Sequence, residues 1–136
     1  MKSINGYIME DREKLIQNIH KSPYKAVIAI TGGGAEAIGE LLRHGNGSAT
    51  LLEATVPYNQ NSFADYIHGV PDKFCAPEAA RDLAMAAFKR AMKLAPQDVE
   101  HLIGIGASSS LVKPDGERAG REHKTYIAVQ TCNDTV

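Results

Sequence analysis

Lys25-Ala26-Val27-Ile28-Ala29-Ile30-Thr31-Gly32-Gly33-Gly34 is the stretch whose reading decides the fold. Lys25 to Ile30 is an apolar run of strand length, and a strand of that kind needs both faces covered. Three glycines follow Thr31, and Ala35 to His44 then carries Ala37, Ile38, Leu41 and Leu42 at helical spacing. A buried strand that turns directly into an amphipathic helix is the unit of an α/β fold.

The segments on either side repeat the alternation. Upstream, Leu15, Ile16 and Ile19 mark a short amphipathic helix over Asp11 to His20, ended by Ser22-Pro23 because the residue before proline is pushed out of the α region. Downstream, Gly45-Asn46-Gly47 is a turn, Ala49 to Val56 a second strand closed by Pro57, and Phe63 to His68 a short helix. Pro77 opens the clearest helix, where a first-turn proline loses no intrahelical bond. Ala80, Leu83, Ala84, Ala87, Phe88 and Ala91 form one face of it, and so many alanines imply close approach to a neighbouring layer. His101 to Ile105 is a third strand and Thr125 to Thr131 a fourth, joined by a polar stretch from Ser108 to Lys124. The pattern predicts one α/β domain over residues 1–136. Residues 1–24 form an N-terminal helical segment, 25–131 a core with a central sheet flanked by helices, and 132–136 a tail.

Composition narrows the function classes. The chain has 136 residues, 43% of them hydrophobic and 23% charged, with a formal net charge of −1. That balance gives no broad electrostatic footprint for nucleic acid, and no apolar run approaches the roughly 20 residues of a membrane span. The N-terminus lacks the basic-then-apolar layout of a secretory signal. Two cysteines, Cys75 and Cys132, are too few for a disulfide framework. A cytoplasmic domain is expected.

Two loops are candidate sites. Thr31-Gly32-Gly33-Gly34 lies between strand and helix, where glycines let a ligand approach the backbone and the first helical amides attract an anion. A tight turn would account for one or two of these glycines. No Gly-Lys-Ser/Thr follows, and the dinucleotide pattern Gly-x-Gly-x-x-Gly is missing. The second candidate is Gly104-Ile105-Gly106-Ala107-Ser108-Ser109-Ser110 with Lys113 beyond it. It follows a strand end, the usual ligand position in open α/β sheets. Its hydroxyls and ammonium suit a phosphate or ribose; a serine–lysine nucleophile pair and a plain polar loop are the alternatives. Histidines 20, 44, 68, 101 and 123 show no metal-ligand spacing and read as surface or helix-end residues, so neither a metal nor a cofactor is expected.

Taken in order, these pieces resemble the C-terminal domain of the competence-damage-inducible CinA proteins, the nicotinamide-nucleotide amidase family. The matching stretches are Ile28 to Gly33, Val56 to Phe63, the helix around Leu83-Ala84-Met85-Ala86, Gly104 to Ser108, and Lys113-Pro114. They span Lys25 to Thr131. Thr31 to Gly34, Val56-Pro57-Tyr58 and Gly104 to Leu111 are also similar to the CinA-like module that precedes a nucleotidylyltransferase-like domain in large eukaryotic proteins, which suggests a divergent branch. The resemblance implies a three-layer sandwich with a central mixed sheet.

The departures bear on activity. The family motif Glu-Ser-Cys-Thr-Gly-Gly supplies the serine nucleophile, and a later lysine its base. Here the serine position is Ala29, the glutamate position Ile28 and the lysine position Phe63. A methyl group cannot attack a carbonyl, and a phenyl ring cannot take a proton. What the resemblance leaves is a ligand shell for a phosphorylated small molecule, such as a pyridine nucleotide, with no catalytic residue. That shell is Thr31, Gly32, Gly33, Gly34, Tyr58, Gly106, Ser108, Ser109, Ser110 and Lys113. One alternative is an active amidohydrolase with relocated chemistry on Thr31 or on Ser108 to Ser110 with Lys113. The other is a non-catalytic scaffold. The family's C-terminal helix has no counterpart before Val136, so self-association into a homo-oligomer is expected.

Overall fold

The computed structural model describes residues 4–111 and 123–136, with side chains from Asp11 onward. The elements are α1 (Ile4–Lys21), β1 (Lys25–Ile30), α2 (Glu36–Arg43), β2 (Leu51–Thr55), α3 (Gln60–Ile67), α4 (Pro77–Leu94), β3 (Leu102–Ser110) and β4 (Lys124–Gln130). The strands form one mixed sheet in the order β2-β1-β3-β4. β1 runs parallel to β2 and to β3, and β4 is antiparallel to β3. The carboxyl ends of β1, β2 and β3 therefore share one edge of the sheet.

One face of the sheet is closed by α4. Val27 and Leu102 pack against Ala87, Phe88 and Ala91, while Ala128 meets Ala80 and Ala84. The alanine stripe brings the helix in, and β3 meets it with glycine. A Cβ on Gly104 would lie 2.8 Å from the Phe88 Cα, and one on Gly106 would lie 2.5 Å from the Ala84 nitrogen. These two glycines are required by close approach. Arg90 of α4 adds a two-pronged bond to Glu53 of β2, at 2.8 and 3.1 Å.

On the other face, Ala26, Ile28, Ile30 and Ala107 pack against Ile38 and Leu41 of α2. The C-terminal turn of α1 is tied to that layer by His20, which is buried. Its Nε2–H donates to the Leu41 carbonyl at 3.0 Å, and its Nδ1 takes the Thr50 hydroxyl at 2.7 Å. No helix among the described residues is long and apolar enough to cross a membrane.

The strand and helix order follows the sequence reading, with differences at boundaries; β2 begins at Leu51 and not Ala49, which ends a 3-10 turn. The helix predicted from Asp11 begins at Ile4. α3 begins at Gln60, not Phe63, because the Asn59 side chain accepts from the Asn61 and Ser62 amides and caps the helix. Ser108 to Ser110, predicted as the start of a polar loop, complete β3. Antiparallel pairing with β4 runs to Ser110↔Lys124, and two of the three hydroxyls find long-range acceptors that make a strand tolerable. The tail folds back on β4, with the Val129 and Val136 amides bonded to each other's carbonyls at 2.8 and 2.9 Å.

Gly106→Ala is expected to lower the unfolding free energy by about 3 kcal/mol, because the methyl meets helix backbone that cannot rotate away. Chemical denaturation measures this directly. A loss under about 1 kcal/mol would show that α4 can retreat from β3 at little cost.

Candidate functional site

The shared carboxyl edge of β1, β2 and β3 gathers the first candidate loop and part of the second. Thr31 leaves β1 with its amide and its hydroxyl both donating to the Ala107 carbonyl, at 3.0 and 3.3 Å. Gly32 and Gly34 then take φ of 143° and 92°, values open to glycine and strained for other residues. The chain reaches α2 without a side-chain cap, since Ala35 occupies the N-cap position. The amides of Gly32, Gly33 and Gly34 have no acceptor among the described residues.

Neighbouring side chains lie directly on this loop. The Tyr58 ring, 77% exposed, covers Gly32 so closely that a Cβ there would sit 3.4 Å from two ring carbons. Ser109 lies under Gly33 on the other side, with its Cβ 3.1 Å from where a Gly33 Cβ would be. The Ser109 hydroxyl donates to the Gly33 carbonyl at 3.3 Å and lies 3.0 Å from the Thr125 hydroxyl, which completes the chain of donors. Among the described residues, the edge thus presents three amides without an acceptor, one exposed ring and two linked hydroxyls.

The remaining predicted residues lie elsewhere. Gly106 is in the middle of β3 under α4, where its role is packing. Ser108 is fully buried on the α4 side and donates to the Phe74 carbonyl, pinning the segment before α4. Ser110 ends β3, half-buried, and Lys113 lies outside the described residues. Thr125 and Leu111 were not among the predicted residues. They reach the site only through the β3–β4 register and the end of β3, neither of which has a local signature in the sequence.

Ala29 and Phe63 are neighbours in one buried apolar cluster with Ala79 and Leu83. Phe63 meets Phe74 edge-on, with ring centroids 5.3 Å apart. Tyr66, Ile67 and Phe74 pack against this cluster, and Tyr66 brings a hydroxyl to it, but no serine or amine does. The Thr31 hydroxyl, in the next outward position along β1, has no titratable partner among the described residues.

No protein-family model matches the chain, and no curated protein sequence does. Solved structures do. The competence/damage inducible protein CihA from Agrobacterium tumefaciens superposes with a TM-score of 0.70 at 17% identity, over 100% of this chain and 81% of that one. The chain has a CinA-like fold. A competence-damaged protein (CinA) superfamily protein from Escherichia coli gives the same TM-score at 12% identity, over 100% of this chain and 77% of that one. The three-layer arrangement and mixed sheet expected from the motif order are those of this CinA-like fold, and at such identities the likeness concerns the backbone alone.

Beside the Phe63 cluster, Tyr66 carries a buried hydroxyl without a hydrogen-bond partner. Burial, and then the nearby Glu53 carboxylate, push its pKa up to about 12 against the opposing pull of Arg90. The unfolded chain releases this proton near pH 10 and the folded one near 12, so stability drains away as pH rises through that interval. Tyr66→Phe is expected to remove this alkaline loss and to be neutral or stabilising at pH 7, since no bond is broken. Denaturant midpoints compared at neutral and alkaline pH check it, and a variant clearly weaker at pH 7 would contradict the unpartnered hydroxyl.

Proposed function

We propose that this CinA-like domain binds a phosphorylated small ligand at the carboxyl edge of β1, β2 and β3, and that it does not perform the amidase reaction of the family it resembles. The main support is the row of Gly32, Gly33 and Gly34 amides before α2, which have no acceptor among the described residues. Successive backbone N–H groups at a helix N-terminus suit a phosphate, and neither a lysine nor a large net positive charge is needed. Tyr58 offers a ring face beside them, and the Ser109–Thr125 pair offers hydroxyls.

The loss of amidase chemistry is supported by the surroundings of Ala29 and Phe63, buried together among apolar side chains. A serine and a lysine at those positions would belong to one cluster, and neither is present. The pyridine nucleotides are the ligand class that the resemblance supplies. On this reading the protein is a divergent CinA-like branch that acts in the cytoplasm and self-associates.

Purified protein is expected to release no ammonia from nicotinamide mononucleotide above the protein-free blank. Phosphate-bearing compounds, that nucleotide among them, are expected to raise its thermal midpoint. Tyr58→Ala should weaken nucleotide binding by about five- to tenfold while leaving the unliganded midpoint unchanged, because the ring is mostly exposed. Steady turnover would contradict the lost chemistry, and no shift with any phosphate-bearing compound would contradict binding.

A further inference from the structure

The sheet face opposite α4 is only partly covered. α2 lies over β1 and β2, and between the two N-terminal helices and the sheet there remains a groove of about 940 Å³. That volume is within the roughly 300–1,000 Å³ of small-molecule sites. Strand register fixes its floor. Ile30, Ala107 and Ile127 form one row across β1, β3 and β4, and Ile28 with Ile105 the next. At about 4.8 Å between strands and 6.6 Å per two-residue step, rows from Ala26 to Ile30 give a floor of roughly 10 by 13 Å. Ile16 of α1 and Leu41 of α2 form the opposing walls.

The chemistry of this lining is selective. The floor is aliphatic and offers no side-chain hydrogen-bond donor, so the polar edge of a nucleobase or pyridine amide would be desolvated there without compensation. Tyr24, the one aromatic side chain on the lining, is already engaged edge-on with His101 at 5.6 Å. The acidic Glu40 on the wall is held by Arg43 at 2.7 Å. Gly33, Gly34 and Thr125 line one end of the groove, and its other polar residues, Arg12, Ser22, Glu36, Arg43 and Thr50, belong to the two helices and to the segments after α1 and before β2. Gly33, Gly34 and Thr125 also form the candidate anion site, so the groove opens into it.

The geometry points to an amphiphile as the ligand: an anionic phosphate monoester at the glycine amides, carrying a flexible aliphatic chain along the Ile28–Ile105–Ile127 floor. The groove carries this inference, and the anionic end rests on the phosphate reading given above. A nucleotide would engage the phosphate end and the Tyr58 ring and leave the aliphatic floor uncovered.

Isothermal titration with butyl phosphate, decyl phosphate and decanol, each below its micelle concentration, tests the assignment. Burial of a methylene is worth about fourfold in affinity when complete. With the groove partly open, decyl phosphate is expected to bind at least about 50-fold more tightly than butyl phosphate. Ile127→Glu, at a 66% exposed position on the lip, should collapse the ratio of decyl to butyl phosphate affinity measured within the variant towards one. If both phosphates bind equally, the groove inference is overturned and the phosphate reading stands. If decanol binds as tightly as decyl phosphate, the chain does not share a ligand with the anion site, which also overturns it. If neither phosphate binds, both readings fail together.

Discussion

A methyl group on Gly104 or Gly106 would occupy space already held by the backbone of α4, so β3 lies against that helix with almost nothing between them. The contact sets the depth at which the sheet sits. Because β1 pairs with β3 from Lys25↔Leu102 to Ile30↔Ala107, it also sets where β1 ends. The turn after Ile30 then has no freedom of placement: Thr31 is bonded back to Ala107, and the three glycines must carry the chain outward to α2. The candidate site is a consequence of a packing constraint on the opposite side of the sheet.

The same constraint explains why alanine dominates one face of α4. Ala80, Ala84, Ala87 and Ala91 are all buried, and larger side chains at these positions would lift the helix off the glycines. Leu83 and Phe88 fill the space beside this line of close contact. Small residues on the helix and none on the strand are two halves of one fit. Disturbing either half costs packing over the whole face, since interiors at close-packed density cannot absorb an extra methyl locally.

Much of this was legible in the sequence because it is written in local patterns. The apolar run from Lys25 to Ile30, the alanine face after Pro77 and the glycines after Thr31 each specify their own structure. What escaped depends on partners distant in the chain. Ser108 reads as loop on composition, yet its hydroxyl meets the Phe74 carbonyl from the segment before α4. Gly106 reads as part of a ligand loop, while the neighbour that requires glycine there is a helix some twenty residues earlier in the chain. Thr125 joins the site through strand register, and a one-residue slip would have turned it to the other face. The open groove is likewise a property of three strands and two helices together.

On the proposed function, the amides of Gly32, Gly33 and Gly34 receive an anion. Amide proton–nitrogen NMR spectra recorded while inorganic phosphate is titrated into the isotopically labelled protein address those atoms themselves. The three glycine resonances are expected to shift together and saturate along one binding curve, with Ser109 and Thr125 following. Glycine resonances that stay in place while phosphate shifts others, or that drift without saturating, would contradict it.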